Sequence, residues 1–299
     1  MTLNKKFTGS TVALITPMKN DGAVDFDSLK NIINFHIENK TSAIVSVGTT
    51  GESATLSHHE NLEVIKKTIE FASGEIPIIA GTGSNSTEEA IYLTKKAKEL
   101  GADAALLVTP YYNKPTQEGL YQHYKKIAKA VDIDIILYNV PSRTAVDLLP
   151  DTVLRLSKIN NIIGIKDATG NLNVAKSLIK ICPDDFLLLS GDDASAVDFT
   201  LLGGHGGISV SANVAPFEVQ QAYQLAISGD NKKAKDLDNK LQELHKNLFI
   251  ESSPIPVKWA LYKMGKCDKG IRLPLTILSD KYHNIMQNTL MNLGVISNV

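Results

Sequence analysis

Apolar residues follow two rhythms along this chain. Short, nearly continuous apolar runs alternate with longer stretches in which apolar positions recur every three or four residues. The short runs predict strands at 11–16, 43–47, 76–80, 104–108, 133–138, 162–166, 186–190 and 207–210. Most lack the in–out alternation of a half-exposed strand, so both of their faces are expected to be covered, as in a parallel sheet. The longer stretches predict helices at 27–39, 60–72, 88–100, 118–130, 151–157, 172–181, 194–201 and 216–228. In the first, Leu29, Ile32, Ile33 and His36 share one side. The third ends at Gly101, a residue suited to a helix C-cap.

Eight strand–helix units match a (β/α)8 TIM barrel of the α/β class. A doubly wound open sheet is the alternative, but its dinucleotide fingerprint is incomplete. Gly81-Thr82-Gly83 is followed by Ser86 where the third glycine belongs. Beyond Gly229 the pattern changes, with helices predicted at 232–249, 255–264 and 276–293 and no further strand. The expected organisation is a barrel over 1–229 with a C-terminal three-helix appendage over 230–299. The appendage has apolar faces to pack on the barrel or on another subunit.

Composition adds little to this picture and excludes some of it. The chain has 299 residues, 43% hydrophobic and 21% charged, enough for a substantial core. A net charge of -1 points away from nucleic acid and anionic membranes as partners. No apolar stretch is long enough to span a bilayer, and residues 1–6 lack the apolar core of a signal peptide. Cys182 and Cys267 form no CxxC motif and fit a reducing compartment, so a cytoplasmic location is expected.

Polar chemistry collects at strand C-termini. These carry Gly48-Thr49-Thr50-Gly51-Glu52, Thr109-Pro110-Tyr111-Tyr112, Tyr138-Asn139-Val140-Pro141-Ser142-Arg143, Lys166-Asp167 and Gly191-Asp192-Asp193. In a (β/α)8 barrel those ends converge on the catalytic face. Lys166 closes the apolar run Ile162-Ile163-Gly164-Ile165. Either the strand has ended and the lysine faces solvent, or it is buried and its neutral form is a nucleophile. Thr49 and Thr50 suit a small carboxylate, or an ordinary threonine-rich turn. Tyr138 and Tyr112 suit proton transfer, or core packing. Arg143 suits a second carboxylate, or a solvated loop. Tyr111-Tyr112 also suits an interface.

Metal chemistry has weak support. Adjacent His58 and His59 point apart on a helix, Asp192-Asp193 has no third ligand at a recognisable spacing, and His205 sits in a glycine-rich turn. No P-loop is present.

Three motifs carry a resemblance over essentially the whole chain. Gly48-Thr49-Thr50-Gly51-Glu52-Ser53, Tyr138-Asn139-Val140-Pro141-Ser142-Arg143-Thr144 and Gly164-Ile165-Lys166-Asp167-Ala168-Thr169-Gly170 resemble the dihydrodipicolinate synthase / N-acetylneuraminate lyase family of pyruvate-dependent class I aldolases. The threonine motif is shared across that family, whereas neuraminate lyases generally lack the arginine at 143. The resemblance implies condensation of pyruvate with L-aspartate 4-semialdehyde through a lysine Schiff base. The product would be 4-hydroxy-2,3,4,5-tetrahydrodipicolinate, in the first committed step of the diaminopimelate route to L-lysine.

In that reading Lys166 forms the imine. Thr49 and Thr50 hold the pyruvate carboxylate with help from backbone near Ile208 and Gly191. Tyr138, Thr49 and Tyr112 form a proton relay, with Tyr112 supplied by the neighbouring subunit of a homotetramer built as a dimer of dimers. Arg143 grips the semialdehyde carboxylate, and no metal or organic cofactor is needed. The resemblance also implies feedback inhibition by L-lysine, bound by Ser53, Ala54, His58, Asn85, Glu89 and Tyr111. Asn61 departs from the histidine of sensitive relatives. Two other readings compete. One is a sibling aldolase or dehydratase acting on a sugar acid, which Arg143 argues against. The other is a non-catalytic amino-acid-binding barrel, which would need no proton relay.

Overall fold

The computed structural model describes residues 5–297. The outermost residues of both expected spans, 1–4 and 298–299, lie outside it. Eight parallel strands close into a barrel in sequence order, with β1 (Gly9–Ala13) hydrogen-bonded to both β2 (Ala43–Ser46) and β8 (Gly206–Ser209). Between them run β3 (Ile78–Gly81), β4 (Ala104–Val108), β5 (Asp134–Asn139), β6 (Ile162–Asp167) and β7 (Leu187–Ser190). All eight expected strands are present, most of them shifted by a residue or two at one or both ends. The first shifts most: Leu14 still donates to the Val45 carbonyl of β2 at 3.1 Å, but the chain leaves the ladder at Ile15, whose backbone N–H donates instead to the Asn213 side chain at 3.2 Å.

The outer helices are α1 (Phe26–Glu38), α2 (His58–Ala72), α3 (Thr87–Leu100), α4 (Gln117–Ala130), α5 (Pro141–Thr144), α6 (Pro150–Leu156), α7 (Leu172–Ile181), α8 (Ala196–Leu201) and α9 (Pro216–Ile227). Their starts have local causes. Ser57 and Glu60 form a reciprocal capping box on α2, and Ser86 and Thr116 cap α3 and α4. Gly101 ends α3 in the left-handed conformation, the C-cap expected of it. The four-residue α5 has no counterpart among the sequence-predicted helices. Pro141 starts it, which suits a first helical position, and it carries Arg143.

Strand alternation divides the core in two. Ala13, Val45, Ile79, Leu106, Ile136, Leu187, Leu189 and Ile208 fill the barrel interior. Val12, Ile44, Ile78, Leu107, Ile135, Ile165 and Leu188 face the helices. On β5 and β6 the same rule turns Tyr138 inward and Ile165 outward, so Lys166 points to the interior.

The C-terminal extension forms α10 (Asn231–Asn247), α11 (Ile255–Lys263) and α12 (His283–Asn292). The turn before it is made at Gly229, whose φ is +80°. Leu241, Leu244, Val257, Trp259, Met286 and Leu290 join the same buried cluster as Val210, Val214 and Val219 of the barrel. The helix expected over 276–293 is shorter than its apolar pattern suggested. Glu251 accepts hydrogen bonds from the Ser279 backbone and hydroxyl, which holds that residue extended. No helix among the described residues is long and apolar enough to cross a membrane.

Candidate active site

Lys166 is only 5% exposed, so the solvent-facing alternative does not hold. It pairs in register with Tyr138 on β5 and with Leu189 on β7. Its ammonium lies 4.3 Å from the centroid of the Tyr138 ring, a cation–π contact inside the barrel mouth. The next residue, Asp167, faces outward. It accepts hydrogen bonds from Thr169 (2.6 Å) and Asn139 (3.2 Å), and burial raises its pKa against those bonds. Asn139 also donates to Asp147 at 2.8 Å, so the β5–β6 edge beneath the lysine and tyrosine is pinned from outside.

Gly191 serves Lys166 by its lack of a side chain. A Cβ there would stand 2.7 Å from Lys166 Cε and 2.7 Å from Ala168 Cβ. The apolar stem of the lysine fills that space.

Above the lysine opens a cavity of about 380 Å³. Thr49, Thr50, Tyr138, Arg143, Lys166 and Gly191 all line it, so the structure brings six of the sequence-predicted residues together. The threonines sit on a tight turn after β2, closed by bonds from Gly51 N to Gly48 O and from Glu52 N to Thr49 O. The backbone into that turn is unusual. Val47 has φ +51° and Glu52 φ +57°, conformations that cost energy for residues with a side chain. Gly81 passes so close that a Cβ would meet the Val47 carbonyl oxygen at 2.4 Å. Arg143 projects from α5 and donates through Nη2 to the Ser253 carbonyl at 3.2 Å.

Two expected residues lie elsewhere. Ile208 is buried in the interior layer, and Val210, two residues further on, is the one on the cavity wall. Tyr112 is 89% exposed and has φ +73°, so this chain does not bring it to its own cavity. Sequence reasoning missed Phe249, Ser252 and Ser253, which reach the wall from the segment between α10 and α11. The Ser252-Ser253-Pro254 run between two predicted helices was the available signal. It also left Asp192 without a role. This acid lines the cavity and is tied down by Ser195, whose hydroxyl donates to it at 2.5 Å.

A second cavity of about 380 Å³ adjoins the first. Ser53, Ala54, His58, Glu89 and Tyr111 line it. Asn85 stands beside it and donates to the Tyr111 carbonyl at 3.2 Å. Glu89 accepts from Ser84 (2.7 Å) and lies 2.6 Å from His58 Nε2. Asn61 lines the same cavity, and its buried Oδ1 has no hydrogen-bond partner. Thr49, Val140 and Arg143 line both cavities and so form their common wall.

Of the weak metal candidates, His58 pairs with Glu89 while His59 lines a surface groove. Asp193 accepts from the backbone of Val210 and Ser211. Burial pushes the thiols of Cys182 and Cys267 up to about 11 and about 12, which keeps both in the unreactive form.

The model of the dihydrodipicolinate synthetase family matches residues 6–293. A 4-hydroxy-tetrahydrodipicolinate synthase of Ruthia magnifica subsp. Calyptogena magnifica is 65% identical over 296 residues, 99% of this chain and 100% of that protein. Among solved structures, the chloride-inhibited dihydrodipicolinate synthase of Acinetobacter baumannii, in complex with pyruvate, is 57% identical. It superposes with a TM-score of 0.96 over 97% of this chain and 100% of that one. The synthase of Cyanidioschyzon merolae, with lysine bound, is 36% identical, with a TM-score of 0.95 over 97% and 99% of the two chains.

Proposed function

The chain belongs to the dihydrodipicolinate synthetase family, and from that membership we propose that it is a lyase joining pyruvate to L-aspartate 4-semialdehyde in the diaminopimelate route to L-lysine. The product is 4-hydroxy-2,3,4,5-tetrahydrodipicolinate. The observation that carries this reading is the buried Lys166 against the Tyr138 ring, with Thr49, Thr50 and Arg143 on the same cavity wall.

The neutral amine of Lys166 attacks the pyruvate carbonyl carbon, and loss of water leaves a protonated imine. That imine withdraws electrons, so a methyl proton leaves and an enamine forms. The enamine carbon bonds to the aldehyde carbon, whose oxygen takes up a proton. The substrate amine then displaces Lys166 by transimination and closes the ring. Tyr138 carries protons at the imine in this reading, which its ring's 4.3 Å approach to the Lys166 Nζ supports. The imine is itself the electron sink, so the bond changes call for neither metal nor organic cofactor. Thr49 and Thr50 hold the pyruvate carboxylate, and Arg143 holds that of the semialdehyde.

Two features extend the reading. Tyr112 is an exposed aromatic in a constrained backbone, which suits insertion into a neighbouring subunit of a homotetramer in the cytoplasm. L-lysine suits the second cavity, where Glu89 offers a carboxylate to an amine. The wall shared through Thr49 and Arg143 gives its binding a route to the catalytic cavity.

The test is borohydride reduction with pyruvate, followed by intact mass and peptide mapping. One three-carbon adduct on Lys166 is expected, and none on Lys166→Ala. An unmodified chain would refute Schiff-base chemistry of any kind. Coupled turnover of pyruvate with L-aspartate 4-semialdehyde, with and without L-lysine, identifies the second substrate. Cleavage of N-acetylneuraminate without semialdehyde turnover would overturn that assignment.

A further inference from the structure

Glu52 and Lys258 form an ion pair almost wholly removed from solvent, with side-chain exposures of 0% and 2%. Neither residue lines the catalytic cavity or the one beside it. They are 206 residues apart in the chain. Glu52 ends the strained turn that presents Thr49 and Thr50, and its other carboxylate oxygen accepts from the Arg272 backbone at 3.2 Å. The Arg272 side chain fastens the segment between that turn and α2. It donates to the Thr55 carbonyl at 3.0 Å and forks onto Glu60 at 2.6 and 3.0 Å. On the barrel side, the Thr16 hydroxyl donates to the Gly51 carbonyl at 2.6 Å.

Lys258 lies in the first turn of α11, just after Ser253, whose carbonyl accepts from Arg143. One helix of the extension therefore refers both anion-holding elements to a common frame. The threonine turn is tied through Glu52, and Arg143 is tied through Ser253. Stability alone does not account for this device. A buried ion pair replaced by apolar groups of similar size is often no less stable. What such a pair supplies is a directional bond, and a turn with two residues at positive φ has need of one.

We propose that the buried Glu52–Lys258 pair is a positioning device for the Thr49–Thr50 turn, by which the C-terminal extension sets the geometry that holds the pyruvate carboxylate. The proposal rests on the Schiff-base reading of the catalytic cavity. Neither residue touches substrate.

The test uses the full-length enzyme with Glu52→Gln, Lys258→Met and the double variant. Each single change should lower the melting temperature, most of all Lys258→Met, which leaves a buried carboxylate unpaired. The double variant buries no unpaired charge and should recover much of that loss. Its KM for pyruvate should stay raised by roughly 10- to 100-fold, the value of hydrogen bonds to a charged group. Its KM for the semialdehyde should change less. A double variant with wild-type pyruvate KM, or with activity that merely tracks the folded fraction, overturns the proposal. Should the double variant fail to fold, Glu52→Gln decides alone. It keeps the shape and one hydrogen bond, and a pyruvate KM unchanged from wild type refutes the idea. Wild-type enzyme that traps no pyruvate would instead refute the functional reading.

Discussion

Gly191→Ala adds one methyl group beside the Lys166 side chain, the amine proposed to form the imine. The new carbon would stand 2.7 Å from Lys166 Cε, 3.0 Å from Lys166 Cγ and 2.7 Å from Ala168 Cβ. Carbon atoms pack at about 3.5 Å or more, so about 0.8 Å must be found on each side. The lysine stem can turn away, but Ala168 is fixed to the backbone one residue beyond β6, and the methyl cannot retreat toward it. The displacement therefore falls on the Lys166 amine. A shift near an ångström in a reacting group costs about 100-fold in rate. Overpacking adds about 1–3 kcal/mol of lost stability. The assay is the rate of borohydride trapping at limiting pyruvate, beside kcat/KM and a thermal melt. Trapping should slow by about two orders of magnitude while the folded fraction at assay temperature stays high. A well-folded Gly191→Ala enzyme that forms its imine at the wild-type rate would show that the glycine is not there to seat the lysine.

Other consequences can be measured separately. His36 is fully buried, and burial, with Lys266 nearby, pulls its pKa down to about 3. The unfolded chain binds that proton near pH 6.5, so stability is complete above that pH and falls as pH drops toward 3, by up to about 1.4 kcal/mol per pH unit. Urea titrations from pH 7 to 4 should show the decline, and His36→Gln should reduce it to the part contributed by His123, whose pKa burial lowers to about 4; parallel profiles would refute the assignment. Arg143→Ala should raise the semialdehyde KM by at least about 10-fold and leave pyruvate trapping near wild type, since a hydrogen-bonded charge pair is lost at one substrate only. Equal damage to both would remove Arg143 from its role. If Tyr112 serves a neighbouring subunit, inactive Tyr112→Phe and Lys166→Ala chains should regain activity when co-assembled. Mixed oligomers as inactive as their parents would place the tyrosine's function elsewhere.

Much of this molecule is written in local patterns. The apolar runs located all eight strands, because a strand covered on both faces needs little beyond its own residues to be recognised. The polar strand ends located Thr49, Thr50, Tyr138 and Lys166 for the same reason. In a closed parallel barrel, chain direction alone gathers those ends on one face. Less legible were features set by a neighbouring side chain. The short α5 and the unwound start of the last helix depend on a proline and on Glu251, and apolar periodicity reads neither.

The sequence by itself determined the barrel, the candidate site residues at the strand ends and the face on which they meet, since periodicity and strand ends are local. Only the tertiary structure decided that Lys166 is buried and that Gly191 is the space it occupies. It alone joined Phe249, Ser252 and Ser253 to the cavity and Lys258 to Glu52. Burial and long-range pairing belong to no segment. They arise when chain far apart in sequence closes over the strand ends, and no pattern within either partner announces the other.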